Sequence, residues 1–222
     1  MCLFDPEILL PFLLSAVAAY LIGSISFSII FTRIFIGADV REYGSGNAGT
    51  TNVLRAAGKW PAILTFAGDF LKCVVAVLFA QFIFSVFGGA FGDYILVRYI
   101  AGFFCTIGHI YPVFFGFRGG KAVASTAALV LMVDWRMLVI AFIVFAIVFL
   151  IWHYVSLSGI VGVLSVPFST YFIVHTQSKS IVWLDILMSI IIAANLIYAH
   201  RSNIKRLING TESKIGAKKT IE

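Results

Sequence analysis

Charge is scarce in this sequence. Only 12% of its 222 residues are Asp, Glu, Lys or Arg, about half the share carried by a soluble domain. So few charges cannot cover a water-facing surface, which excludes an ordinary soluble globule. Cysteine is scarce too. Cys2, Cys73 and Cys105 lie far apart with no CxxC pair, so neither a disulfide framework nor a cysteine-based zinc site is encoded, and they read as buried small residues. No Lys or Arg precedes Arg33, and Asp5 and Glu7 stand near the start. A cleavable secretion signal opens with a basic stretch, so the first apolar run is expected to remain in the protein. No lysine follows Gly49, so Gly44 and Gly49 do not form a Walker A loop despite their spacing.

Apolar sequence fills the space. It makes up 61% of the chain and comes in runs that are hydrophobic all round, the signature of helices that cross a membrane. Spans are expected at residues 8–31, 61–87, 97–115, 122–133, 137–153, 157–174 and 181–199. The fourth is shorter than the roughly 20 residues that cross the hydrocarbon. The predicted fold is all-α: one polytopic membrane domain over residues 1–222 with seven transmembrane helices. Breaks are expected at Gly88-Gly89, at Asp134-Trp135-Arg136 and across residues 176–180. With the N-terminus outside, thirteen of the sixteen Lys and Arg residues fall on the inner side, so the C-terminus is expected to be cytoplasmic. Arg98, Arg136 and Lys179 stay outside. The tail lysines read as topology and attraction to anionic lipid, with no nucleic-acid partner.

Polar sequence gathers in three segments, 39–59, 108–124 and 200–222, all expected on the cytoplasmic face. In the first, Gly44, Gly46 and Gly49 permit close backbone approach, so that successive N–H groups can cradle an anion. Ser45, Asn47, Thr50, Thr51 and Asn52 add donors and Arg55 adds a fixed charge. In the second, Gly119-Gly120-Lys121 precedes an apolar helix, whose N-terminus suits phosphate. Arg118 and Lys121 also fit the role of inside-positive flanks. In the third, His200 and Asn203 are three apart and share a helix face.

Together these segments resemble the acyl-phosphate:glycerol-3-phosphate acyltransferase family of bacterial phospholipid synthesis, over nearly the whole chain. The resemblance rests on Gly23-Ser24-Ile25, on Arg41…Gly44-Ser45-Gly46-Asn47…Gly49…Thr51-Asn52…Arg55, and on Asp69-Phe70-Leu71-Lys72. It continues through Gly108-His109…Tyr111-Pro112…Gly119-Gly120-Lys121 and closes on His200-Arg201…Asn203-Ile204…Arg206-Leu207…Gly210…Glu212. It implies a seven-span enzyme of the bacterial cytoplasmic (inner) membrane, using acyl phosphate and glycerol 3-phosphate without metal or cofactor. The products are 1-acylglycerol 3-phosphate and phosphate, and a monomer embedded in lipid is expected. Ser45, Thr51, Arg55, Lys121, His200 and Asn203 match positions that line the family's site. The anion nest and the closing motif add Gly44, Gly46, Asn47, Gly119, Gly120 and Glu212 as binding residues. The sequence departs from the family pattern at Ala122, where Gly is usual, and at Gly159, where a site serine is usual. Ser158 is the serine left to replace it.

The chemistry suits these residue types. Donor and acceptor each bring a phosphate, and their repulsion calls for several donors and at least two cations, supplied by Arg55 and Lys121. Ser45, Thr51 and Asn203 are candidate donors to phosphate or to the oxyanion. His200 is a candidate general base. A bound phosphate taking the proton while His200 orients the hydroxyl is the alternative. Ser45 has no paired base near it in sequence, so direct transfer is expected over a covalent intermediate. The residues five after His109, His153, His175 and His200 are Phe114, Ser158, Ser180 and Lys205. None is Asp, which argues against acyltransferases built on His-x4-Asp. A transporter would place polar groups at the midplane, whereas here they cluster at one face, Asp69 and Lys72 excepted. These two read as a span-edge pair.

Overall fold

The computed structural model describes residues 6–87, 94–177 and 180–214. Among the described residues there are ten α-helices and no strand: α1 Pro6–Gly23, α2 Phe27–Ile36, α3 Thr50–Ala57, α4 Lys59–Phe87, α5 Ile95–Ile110, α6 Val123–Val133, α7 Trp135–Trp152, α8 Val155–Ser169, α9 Val182–Ala199 and α10 Arg201–Ile208. Strands would leave edge N–H and C=O groups unpaired in lipid, so helices are what such apolar runs must form. Six segments are long and apolar enough to cross a membrane: Ile8–Ile36, Lys59–Phe87, Ile95–Phe115, Trp135–Trp152, Val155–Val174 and Val182–Ala199.

The expected fourth span, 122–133, coincides with α6, only 11 residues long. That is about 16 Å of helix against about 30 Å of hydrocarbon. It lies beside α5. Its entry is tied to the end of α5 by Gly119 N–H donating to the Ile110 carbonyl at 3.1 Å. Its exit is held by Arg98 Nη1 donating to the Met132 carbonyl at 2.9 Å.

The first span is also not one helix. Expected over 8–31, it breaks between Gly23 and Phe27 and then runs on to Ile36. Ser24 Oγ bonds back to the Tyr20 carbonyl at 2.9 Å, which helps to bend a helix. Gly23 lies so close to the Cys105 backbone that a Cβ would collide with it. The expected stop at 134–136 stands: Asp134 ends α6 and caps α7, accepting from Arg136 N–H at 2.8 Å. The break at Gly88-Gly89 lies outside the described residues, as do Cys2, Lys179, Lys218 and Lys219.

α1 packs along α4 and α5, and α6 packs against both. Their shared core includes Cys73, Val77, Phe84, Tyr99, Cys105, Leu129 and Met137. Cys73 and Cys105 are buried and free, as expected. In α7 the buried residues are Met137 and Val148, so most of it faces outward. A smaller cluster of Ile29, Val40, Ala48, Val53 and Ala62 pins α3 and its loop onto α2 and α4.

Candidate active site

All three polar segments converge on one cavity of about 1510 Å³. Its first wall is the loop from Val40 into α3. Gly44 and Gly46 have φ of 54° and 68°, left-handed values that favour glycine. Asn52 holds this turn. Its side chain donates to the Val40 and Tyr43 carbonyls, both at 2.9 Å, and accepts from Ser45 N–H at 3.1 Å. Asn52 is therefore a buried brace and not the anion donor expected of it. Ser45, Asn47, Thr51 and Arg55 line the cavity, together with Gly44. Gly46 does not, and serves the turn.

The second wall is the loop between α5 and α6. Arg41 clamps it to the first wall, donating from Nη1 to the Phe115 carbonyl at 2.7 Å and the Arg118 carbonyl at 3.2 Å, while Asp39 orients it from behind at 2.9 Å. The N–H groups of Gly119 and Gly120 donate to the Ile110 and His109 carbonyls, both at 3.1 Å. These two glycines are thus not free to bind phosphate, which corrects the sequence expectation. They are small because a Cβ on Gly119 would strike the His109 carbonyl, and one on Gly120 would strike His109 Nε2 and the Ala48 carbonyl. The open N–H groups belong to the first turn of α6, where Ala122, Val123 and Ala124 line the cavity. Ala122 stands at φ 59°, so the family's usual glycine at this position has a conformational cause.

The third wall is the end of α9, with α10 and the segment after it. His200 is 3% exposed. Its Nδ1 lies 2.8 Å from the Leu196 carbonyl. A carbonyl only accepts, so the proton sits on Nδ1 and Nε2 keeps a lone pair. Burial pushes the ring pKa down to about 4, with the Lys121 charge adding to it against the pull of the Leu196 carbonyl and Glu212. Burial likewise pushes Lys121 down to about 8, helped by Arg206 and Arg55 and opposed by Glu212. Glu212 accepts from Ser156 Oγ at 2.7 Å, Asn203 Nδ2 at 2.6 Å and Arg206 Nε at 2.7 Å. Burial disfavours its charge, but these three donors prevail and hold the carboxyl below its usual range. Glu212, expected from the sequence as a binding residue, lines the cavity and there ties α8, α10 and the tail together. Asn203 is oriented by this tie, and its Oδ1 is buried without a partner among the described residues.

Of the twelve sequence candidates, the cavity gathers Gly44, Ser45, Asn47, Thr51, Arg55, Lys121, His200, Asn203 and Glu212. Gly46, Gly119 and Gly120 stand behind it. Arg55 and Lys121 have no carboxylate within 4.0 Å among the described residues. Sequence reasoning missed Ser156 and Arg206 as wall residues. It proposed Ser158 instead, but Ser158 Oγ bonds the Tyr154 carbonyl at 2.7 Å within its own helix. It also missed that Asp69 and Lys72 meet His109. The signal was present in the spacing of Asp69 and Lys72, read as a span-edge pair, but both are buried.

A family profile described as glycerol-3-phosphate acyltransferase matches residues 13–210. A glycerol-3-phosphate acyltransferase of Clostridioides difficile is 42% identical over 208 residues, 94% of this chain and 97% of that protein. Two crystal structures of PlsY, an integral membrane glycerol 3-phosphate acyltransferase, are similar throughout. The glycerol 3-phosphate form is 38% identical with a TM-score of 0.77, covering 92% of this chain and 96% of that one. The lysophosphatidic acid form is 36% identical with a TM-score of 0.75, covering 92% and 95%. With its helical fold, its membrane-length segments and a match over nearly its full length, this chain is a multi-pass membrane protein that belongs to the glycerol-3-phosphate acyltransferase family.

Proposed function

We propose that this cavity transfers a fatty acyl group from acyl phosphate to the 1-hydroxyl of glycerol 3-phosphate, releasing 1-acylglycerol 3-phosphate and inorganic phosphate. The observation that carries this is the pairing of two unneutralised cations, Arg55 and Lys121, with an apolar outlet. A groove of about 340 Å³ lined by Leu54, Lys59, Ala62 and Ile63 adjoins the cavity and shares Thr50 and Phe66 with it. Phosphates suit the cations, and an acyl chain suits the groove. An acyl phosphate asks for nothing more than these two features.

The roles follow from what each group has free. Lys121, Arg55 and the first turn of α6 hold the phosphates. Ser45 and Thr51 contribute hydroxyl donors to phosphate or to the oxyanion, where one well-placed donor is worth about 3 kcal/mol. Nε2 of His200, with Asn203 Oδ1 beside it in the cavity wall, accepts the hydrogen bond of the acceptor hydroxyl and aims its oxygen at the acyl carbon. A phosphomonoester has a second pKa of about 6, so a substrate phosphate is a better proton sink than a ring at about 4. The hydroxyl oxygen bonds the acyl carbon, the bond from that carbon to the phosphate oxygen breaks, and the proton leaves on phosphate. Ser45 is not a nucleophile in this scheme.

We further propose seven crossings, with the N-terminus outside and the site facing the cytoplasm of a bacterial inner membrane. The cavity gathers chain from around residues 44–55, 121–124, 154–156 and 200–214. Only if α6 returns the chain across the bilayer do these four stretches fall on one side, and thirteen of sixteen basic residues then lie there. The test is turnover of purified protein in detergent with acyl phosphate and glycerol 3-phosphate, following phosphate and acylated product. Absence of product, or an equal rate with acyl-CoA at matched chain length, overturns the assignment of the donor.

A further inference from the structure

At the foot of the second wall, with Asp69 and His109 on the cavity lining, lies a polar cluster to which the proposed chemistry assigns no step. Asp69, Lys72 and His109 are 1%, 4% and 6% exposed. Lys72 Nζ lies 2.7 Å from the Ile25 carbonyl oxygen, 2.8 Å from Asp69 Oδ1 and 3.0 Å from His109 Nδ1. An ammonium has three donors and no acceptor, so Lys72 donates to the Ile25 carbonyl and to His109 Nδ1 and forms an ion pair with the Asp69 carboxylate. The contact with His109 requires a lone pair on Nδ1. The ring is then neutral with its proton on Nε2. His109 Nδ1 lies 3.4 Å from Asp69 Oδ1, longer than a good N–H···O bond.

The cluster reaches the catalytic walls through backbone. Ile25 stands at the break in the first span, so Lys72 satisfies a carbonyl that the broken helix leaves open. Ser125 at the start of α6 donates to the Asp69 carbonyl at 2.9 Å. His109 Nε2 lies against Gly120 beside the Ala48 carbonyl, close enough that a Cβ on Gly120 would strike both. The His109 carbonyl accepts from Gly120 N–H at 3.1 Å, and the Gly119 carbonyl accepts from Ala48 N–H at 3.3 Å. Lys121 is the next residue. A buried ion pair is a poor device for stability, since well-packed apolar residues often do as well or better. Its use here is geometric.

We propose that Asp69, Lys72 and His109 are positioning residues: a buried network that holds His109 with its proton on Nε2 and thereby sets where Lys121 stands relative to the loop of Ser45 and Asn47. This rests on the reading that Lys121 holds a substrate phosphate. That phosphate is bound in the ground state and the transition state alike, so a displaced Lys121 raises KM for its substrate and leaves kcat nearly unchanged. A variant that merely loses folded protein does the reverse, lowering apparent kcat at constant KM.

Three variants and one spectrum test this. Lys72→Met and His109→Asn should raise KM for glycerol 3-phosphate or acyl phosphate about tenfold to a hundredfold, the scale on which a 1 Å misplacement acts. His109→Gln carries an amide N–H near the Nε2 position and should stay close to wild type, whereas the shorter Asn reaches only the Nδ1 position. Wild-type KM in both Lys72→Met and His109→Asn overturns the proposal, as does equal behaviour of His109→Gln and His109→Asn. Nitrogen-15 NMR of histidine-labelled wild-type protein should show a neutral His109 with its proton on Nε2, assigned by its loss in His109→Gln. A proton on Nδ1 overturns the proposal even if Lys72→Met fails to fold. Lys121→Ala separates the two levels: a wild-type KM there removes the phosphate reading of Lys121, while the tautomer reports on the network independently.

Discussion

Two histidines in this protein carry their protons on opposite nitrogens. His200 donates from Nδ1 to the Leu196 carbonyl and turns a bare Nε2 toward the cavity. His109 accepts at Nδ1 from Lys72 and turns its N–H against the backbone of the second wall. The regions around them differ in the same way. Beside His109, Lys72 donates to the Ile25 carbonyl and to the ring and pairs with the Asp69 carboxylate, and in the first wall the side-chain amide of Asn52 donates to the Val40 and Tyr43 carbonyls. Around His200 the cations of Lys121 and Arg55 and the Oδ1 of Asn203 await one. Polar groups engaged within the fold shape a cavity and groups left free to bond a ligand act in it, because leaving a buried polar group unmatched costs about 1–3 kcal/mol.

The strongest way to break this comparison is at His200. His200→Ala should lower kcat about 10²-fold if the ring only aims the hydroxyl, and up to about 10⁴-fold if it is the base, with folded protein recovered. Wild-type kcat would move His200 to the groups engaged within the fold. Next is Lys121→Ala, which removes a charged contact worth about 1.5–3 kcal/mol and should raise KM for a phosphate substrate roughly tenfold to a hundredfold. Arg55→Ala should have a smaller effect, since Arg55 is exposed and salt screens it. An unaltered KM in both variants would leave the cavity without its phosphate clamp.

The pH profile sharpens the same point. Lys121 titrates at about 8, so it is charged below that value and neutral above it. kcat/KM for the phosphate it holds should fall as pH rises through about 8. Lys121→Arg should remove this alkaline limb whatever else it does, because arginine stays charged. A limb that persists unchanged assigns it to another group.

Smaller effects should come from residues that act only through the fold. Glu212→Ala deprives Ser156, Asn203 and Arg206 of their shared acceptor and should cost about 1–3 kcal/mol of stability, read as a lower Tm in detergent. An unchanged Tm would show that the tail is not tied at this point. Ala122→Gly relieves a left-handed alanine worth about 1–2 kcal/mol and adds back about 0.5–1 kcal/mol of chain entropy. The net expectation is a slightly higher Tm, and a lower one would show that the strain lies elsewhere.

Much of this was legible because local chemistry reports on itself. Apolar runs announce membrane helices wherever they fall. The glycines of the first loop announce a left-handed turn, and the three-residue spacing of His200 and Asn203 places both on one side of the chain where α9 passes into α10. Other features were misread because composition does not reveal partners. Gly119 and Gly120 read as an anion nest, since nothing local shows that the His109 and Ile110 carbonyls claim their N–H groups. The three donors of Glu212 were not legible, since they come from α8 and α10. Ser156 was passed over in favour of Ser158, since which serine of α8 faces the cavity depends on how α8 is rotated against the tail.

The amino-acid sequence by itself determined that the chain is a bundle of apolar helices with its polar sequence gathered in three segments, because burying those runs anywhere but in lipid or in each other is too costly. It also determined which residues were available for phosphate. Only the tertiary structure decided which of them remain free to meet it. A donor's availability depends on whether another part of the chain supplies an acceptor within about 3 Å, and for Arg41 those acceptors lie 74 and 77 positions away.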